Sequence, residues 1–296
     1  MSRPAEIVVV DDGAALARRA AAIFVAAARR ASAARGLFTV ALAGGSTPRE
    51  TYRRLAEEPL RSQVDWSRAH LFFGDERCVP PEDPDSDYRM AYETLIAHVP
   101  VPPGNVHRMH GEDEPAAAAR AYAAELRSVI PARAAPGSSS PPPAQATDAQ
   151  PQTHTGADAP PDARAGADAS PPGESGSDEL LEVPVLDLVF LGLGENGHTA
   201  SLFPHSPALT ERRRLVVPVE VDDRISRRLT MTVPVLNGAR EVVFLVEGAG
   251  KAAVVHRVLE GPYQPDELPA QLIAPYDGSL TWLLDRAAAS LLQRVR

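Results

Sequence analysis

Residues 186–204 read Leu-Asp-Leu-Val-Phe-Leu-Gly-Leu-Gly-Glu-Asn-Gly-His-Thr-Ala-Ser-Leu-Phe-Pro. Five of the first six are apolar, and Gly192, Gly194 and Gly197 follow. A short apolar run bounded by glycines reads as a buried strand. His198 stands directly behind the last glycine. A buried strand that breaks into a glycine turn and delivers one histidine at its carboxyl end has the form of a built site. Open α/β sheets bind ligands at that end of their strands.

The same punctuation recurs on both sides of this stretch. Residues 7–10 form a β-branched run that reads as an edge strand, and Asp11 or Asp12 can cap the alanine-rich helix after it. Gly36 is placed to end that helix in the left-handed conformation. Residues 37–42 read as a buried parallel strand, followed by Ala-Gly-Gly-Ser-Thr-Pro at 43–48. Here Thr47 is the expected N-cap and Pro48 the first helical residue. Residues 70–73 are a strand ending in Gly-Asp-Glu-Arg at 74–77, and Ser86 or Asp85 caps a helix from about 87 to 97. A further helix spans about 115–130. After the opening stretch come strands at 215–219, 228–233 and 241–246. A helix then begins near Gly248–Lys251, a last strand covers 280–284, and a closing helix is expected from Asp285 to the C-terminus. Strands alternating with helices predict an α/β, Rossmann-like domain: a mostly parallel sheet covered by helices on both faces.

Residues 132–178 break the pattern. They are rich in Pro, Ala, Ser and Asp and contain no Leu, Ile, Val, Phe, Tyr, Trp or Met. Such a segment cannot bury enough apolar surface to offset the entropy of ordering. It is expected to be a disordered insertion within a single domain covering 1–296, because the strand–helix punctuation resumes beyond it.

Bulk composition narrows the function. Of 296 residues 44% are hydrophobic, enough for a sizeable core, and the net charge is −9. An acidic chain argues against non-specific nucleic-acid binding. Attraction for an anionic substrate must then come from a few local cations. One cysteine, Cys78, excludes an internal disulfide and fits a reducing compartment. No signal peptide and no uninterrupted apolar run long enough to span a membrane is present, so a cytoplasmic protein is expected. No obligate protein partner is indicated.

Three features carry chemistry. Gly44, Gly45, Ser46 and Thr47 sit between a strand end and a helix start, where unpaired N–H groups and the helix dipole favour a phosphate. The lysine-bearing phosphate loop of nucleotide-triphosphate enzymes is absent. Gly192-x-Gly194-x-x-Gly197 formally matches a dinucleotide fingerprint, but His198 and Thr199 follow where a helix should open. Among the eight histidines none has metal-ligand spacing, and no Gly-x-Ser-x-Gly elbow exists. His198 is therefore the candidate general base. Arg77 and Lys251 each follow a strand end. Lys251 opposes the dipole of the helix it opens, and a nearby anion would account for it.

With these residues assembled, the chain resembles the 6-phosphogluconolactonases of the glucosamine-6-phosphate isomerase/lactonase superfamily. The resemblance rests on Ala-Gly-Gly-Ser-Thr-Pro at 43–48, Gly-Asp-Glu-Arg-x-Val-Pro at 74–80, Asp-Ser-x-Tyr-Arg-Met-Ala at 85–91 and Asn-Val-His-Arg at 105–108. It continues with Gly-x-Gly-x-x-Gly-His-Thr-Ala-Ser-Leu-Phe-Pro at 192–204, Arg-x-Thr-x-Thr-x-Pro at 228–234, Gly-x-x-Lys-Ala at 248–252 and Leu-Thr-Trp-Leu-x-Asp-Arg-Ala-Ala at 280–288. It implies hydrolysis of 6-phosphoglucono-1,5-lactone to 6-phosphogluconate in the oxidative pentose phosphate pathway, with no metal or organic cofactor. His198 would be the base on the attacking water. The loop of Gly44, Gly45, Ser46 and Thr47, with Arg77, Arg228 and Lys251, would hold the anionic substrate. Arg228 is singled out by the resemblance alone. The superfamily's deaminases carry a glutamate five residues after this histidine, where Phe203 stands here. Many relatives have Asp two residues before it, where this chain has Asn196, so Asp75 or Glu76 is expected to supply the missing charge. Asp87 stands where relatives often have Asn. A non-catalytic sugar-phosphate sensor on the same fold and an NAD(P)-dependent oxidoreductase are the alternatives.

Overall fold

The computed structural model describes residues 5–134, 182–222, 225 and 227–293. The chain alternates β1 (Glu6–Val10), α1 (Gly13–Arg35), β2 (Phe38–Leu42), α2 (Ser46–Leu55), β3 (Ala69–Phe73), β4 (Asp75–Arg77), α3 (Asp87–Thr94) and α4 (Pro115–Val129). There follow β5 (Ala132–Ala134), β6 (Glu182–Pro184), β7 (Leu188–Leu191), β8 (Val216–Glu220), β9 (Arg227–Met231), α5 (Val233–Gly238), β10 (Glu241–Val246), α6 (Ala252–Glu260) and β11 (Ser279–Asp285). Six strands form one sheet in the order β1-β11-β10-β7-β2-β3, every pair parallel.

Side chains along a strand alternate between faces, and this sheet buries both. From β7, Leu188 and Phe190 join the layer of α1, α2 and α3, while Val189 and Leu191 join the layer of α4, α5 and α6. Phe24 of α1 anchors the first layer, edge-on to Phe38 at 5.1 Å and against Phe190 at 6.4 Å. On the other face Phe244 and Trp282, register partners on β10 and β11, stack at 3.9 Å. Each large apolar side chain so buried contributes about 1.5–3 kcal/mol. Asp187, the one charged residue in the opening apolar run, is buried at the entry to β7. It accepts from Thr39 N at 2.9 Å and pairs with Arg35 at 2.6 Å, which pins β7 beside β2.

The caps follow local chemistry. Asp12 accepts from Ala15 N at 2.7 Å, Ser86 accepts from Arg89 N at 3.1 Å, and Gly36 ends α1 with φ 77°. Three sequence expectations are corrected. Thr47 is not the cap of α2: Gly45, with φ 97°, turns the chain two residues earlier and no side chain caps the helix. The closing helix does not form. Asp285 Oδ1 caps Ala288 N at 2.7 Å and also accepts from Gly248 N at 3.0 Å, and the chain beyond makes only turns up to residue 293. The insertion does not begin at 132, since Ala132–Ala134 pairs antiparallel with Glu182–Pro184. The rest of that segment, residues 135–181, lies outside the described residues.

Strand order places the site. From β2 the chain moves on to β3 at one edge, and from β7 it moves to β10 and β11 toward the other. The crevice between the carboxyl ends of β2 and β7 is the switch point where such sheets bind ligands. A three-stranded antiparallel sheet, β4-β9-β8, begins directly beyond β3 and forms its wall.

Candidate active site

A cleft of about 250 Å³ opens at this switch point. Gly44, Gly45, Ser46, Thr47, Asp75, Arg77, His198, Arg228 and Lys251 all line it. Asn196 lies behind His198, away from this lining.

His198 owes its position to the glycine turn. Gly194 N donates to His198 O at 2.8 Å and Gly197 N to Gly194 O at 3.0 Å, with Gly197 at φ 84°. A Cβ at Gly194 would collide with the imidazole, so only glycine leaves room for it. No helix opens at the glycines after β7, the next helical piece being a single 3-10 turn at Pro207–Thr210, so the glycines aim a side chain and lack the helix start that a dinucleotide fingerprint needs.

The tautomer of His198 follows from its partners. Asn196 Oδ1 accepts from His198 N at 3.1 Å and lies 2.6 Å from Nδ1. A backbone N–H can only donate, so the facing amide atom is oxygen, and an oxygen beside Nδ1 requires that Nδ1 carry the hydrogen. Nε2 is then the basic nitrogen. The ring stacks on Phe203 at 4.2 Å, and the Arg228 guanidinium lies 5.6 Å from the same Phe203 ring. Phe203 thus fills the space beside the imidazole with a group that cannot move protons.

The arginine-bearing end of the cleft is built from two elements. Gly45 leaves the first turn of α2 without a side-chain cap, so its N–H groups remain for a ligand. Opposite, β4 and β9 pair Arg77 with Arg228 across the strands. Like charges directly opposite are unfavourable, and neighbouring carboxylates offset them. Arg77 Nη1 lies 2.9 Å from Asp87 Oδ1 and donates to Asp85 O at 2.6 Å. Burial would lower the Arg77 pKa, but Asp87 and three further acidic neighbours raise it overall.

The two acids expected near His198 have other tasks. Glu76 is buried and accepts from the backbone N–H groups of Arg77, Asp87 and Tyr88, each at 2.8 Å, and from the Ser86 hydroxyl at 3.1 Å. It ties β4 to the start of α3, so it is not a partner for the imidazole. Burial still pushes its pKa up, against those four bonds. Asp75 accepts from Ser201 Oγ at 2.6 Å; burial raises its pKa, opposed by Ser201, Arg77 and Arg228. The Nδ1 partner is the amide of Asn196. Ser201 is a residue that sequence reasoning missed. Its place in the His-Thr-Ala-Ser run was the available signal, but its contact with Asp75 spans 126 positions.

Asp87 was placed by sequence only as a departure from relatives. It lines the cleft at 3% exposure. A Cβ at Gly44 would collide with its carboxylate, so it stands directly behind the 44–47 loop. Burial first, then Glu76, raises its pKa well above the usual carboxylate range, against the pull of Arg77.

The family profile of glucosamine-6-phosphate isomerases/6-phosphogluconolactonase matches residues 11–282. A 6-phosphogluconolactonase from Synechocystis sp. is 35% identical, covering 89% of this chain and 88% of the relative. One from Nostoc sp. is 34% identical over 87% of this chain and 86% of its own. The solved 6-phosphogluconolactonase of Trypanosoma brucei superposes with a TM-score of 0.75 at 27% identity, covering 99% of this chain and all of that one. With the histidine turn, the opposed arginines and the open helix start in one crevice, the chain belongs to the glucosamine-6-phosphate isomerase/6-phosphogluconolactonase family.

Proposed function

We propose that this protein hydrolyses 6-phosphoglucono-1,5-lactone to 6-phosphogluconate, as the oxidative pentose phosphate pathway requires. The observation that carries the reading is the imidazole of His198, held with Nδ1 protonated by Asn196, in one cleft with Arg77, Arg228, Lys251 and the uncapped start of α2. The phosphate is held by the N–H groups and hydroxyls of the 44–47 loop and by the cations. Nε2 takes a proton from water as the water oxygen bonds to the lactone carbonyl carbon. The carbon–ring-oxygen bond then breaks, and the imidazolium returns that proton to the departing oxygen. The new carboxylic acid ionises in solvent. Asp75 positions Ser201 and tempers the two arginines.

The lactonase is favoured over the deaminase branch by Phe203, which stacks on His198 where a proton-transferring acid would be needed. No helix among the described residues is long and apolar enough to cross a membrane. With a single cysteine, this fits the cytoplasm.

The test compares substrates. Hydrolysis of the 6-phosphorylated lactone and of glucono-1,5-lactone is followed above their spontaneous rates. A kcat/KM preference of about 10²-fold or more for the phosphorylated ester is expected, matching roughly 3 kcal/mol of phosphate binding. Equal acceleration of both, or of neither, would refute the reading.

A further inference from the structure

The anion end carries acids as well as bases. Arg77, Arg228 and Lys251 share this region with Asp75, Asp87 and Glu247, and Glu76 lies beside Asp87, so the acids outnumber the bases. A sugar phosphate brings a charge of about −2. It meets less repulsion when a carboxylate beside it gives up its charge. Glu76 is stabilised in its ionised form by four hydrogen bonds, and Asp75 by the Ser201 hydroxyl. The Asp87 carboxylate has Arg77 as its one ion-pair partner among the described residues. It also stands directly behind Gly44, against the backbone that would cradle the phosphate. The buried Arg77 Nε has no hydrogen-bond partner among the described residues, so this guanidinium has donating capacity left for a ligand.

Resting on the sugar-phosphate reading of the cleft, we propose that Asp87 is the proton-linked residue of the anion end: when a phosphorylated sugar shares the Arg77 guanidinium, Asp87 takes up one proton from solvent. The neutral carboxyl no longer repels the phosphate across Gly44. Release of product returns the proton. Affinity for phosphorylated ligands therefore falls as pH rises through the range in which Asp87 ionises in the free protein.

The groups that face Asp87 are Asp75, Glu76 and Arg77 on β4, Asp85 before α3, Tyr52 on α2 and Arg228 on β9. Burial raises the Tyr52 hydroxyl far beyond neutrality, so it stays protonated. His198 and Lys251 line the same cleft. Of these, His198 is the other candidate for a linked proton, and a variant at 87 separates the two.

The experiment is calorimetric titration of the full chain with 6-phosphogluconate between pH 7 and 8, where the phosphate is largely a dianion. It is repeated in buffers of different ionisation enthalpy. The wild type is expected to take up a measurable fraction of a proton per ligand, with affinity falling as pH rises, by at most about tenfold per pH unit. Asp87→Asn is expected to abolish the uptake and flatten the pH dependence of both Kd and KM. Asp87→Ser serves the same purpose if the amide variant fails to fold. Uptake that persists in the variant, placing the proton on the phosphate or on His198, overturns the proposal. So does wild-type binding without uptake. If neither protein binds 6-phosphogluconate, the sugar-phosphate reading falls, and this proposal with it.

Discussion

Three neighbours fix the imidazole of His198. Asn196 sets the tautomer, Phe203 sets the plane and Gly194 leaves the space. Gly194→Ala is expected to keep the fold and lower kcat about 10²-fold, since a catalytic group displaced by about 1 Å loses that much. Circular dichroism and steady-state rates check it together. Asn196→Asp places a carboxylate beside Nδ1. A negative neighbour favours the imidazolium, so the acid limb of the kcat/KM profile moves to higher pH. An unmoved limb would mean that residue 196 is not the electrical neighbour of the base. At this scale much was legible: glycines ahead of a lone histidine announced the turn. What the histidine's second nitrogen touches was not legible as a function of charge, and the acid expected from Glu76 is spent on the start of α3.

The start of α2 shows how one backbone angle changes an element's use. Thr47 has the chemistry of a cap, and pattern alone assigns it that role. Gly45 at φ 97° starts the helix two residues sooner, and the hydroxyls of Ser46 and Thr47 fall inside the first turn. Paired replacement, Ser46→Ala with Thr47→Ala, is expected to raise KM several-fold with little loss of helix stability, because no cap is removed. A fall in thermal stability with unchanged KM would return the cap role to Thr47. Glu76 is the opposite case, an acid in a site motif whose work is structural. Glu76→Gln turns an amide NH2 toward backbone donors and is expected to cost about 2 kcal/mol in urea unfolding. The cross-strand meeting of Arg77 and Arg228 could not be read from sequence, since 151 positions separate them and only the register of β4 on β9 joins them.

At the scale of the molecule, the parallel sheet was legible because buried strands are continuous apolar runs between glycine and proline punctuation. The closing helix was not, because Asp285 spends its carboxylate on Gly248 as well as Ala288, joining the end of β11 to the loop that carries Lys251. The bounds of the insertion were blurred for a related reason. Composition cannot reveal that Ala134 lies opposite Glu182 in an antiparallel ladder. Those two positions are where a hairpin turn belongs. We propose that 1–296 is one domain interrupted there, and that replacing residues 135–181 by a short Asn-Gly turn leaves activity intact and stability within about 1 kcal/mol. Loss of folding would show that the segment belongs to the core. All of these arrangements converge on turnover, and the central claim is that His198 is the base that drives it. The most direct measurement is the rate of 6-phosphoglucono-1,5-lactone hydrolysis by His198→Ala at saturating substrate, corrected for spontaneous hydrolysis. A fall of about 10²–10⁴-fold in kcat with 6-phosphogluconate binding retained is the predicted result; an undiminished kcat would contradict it.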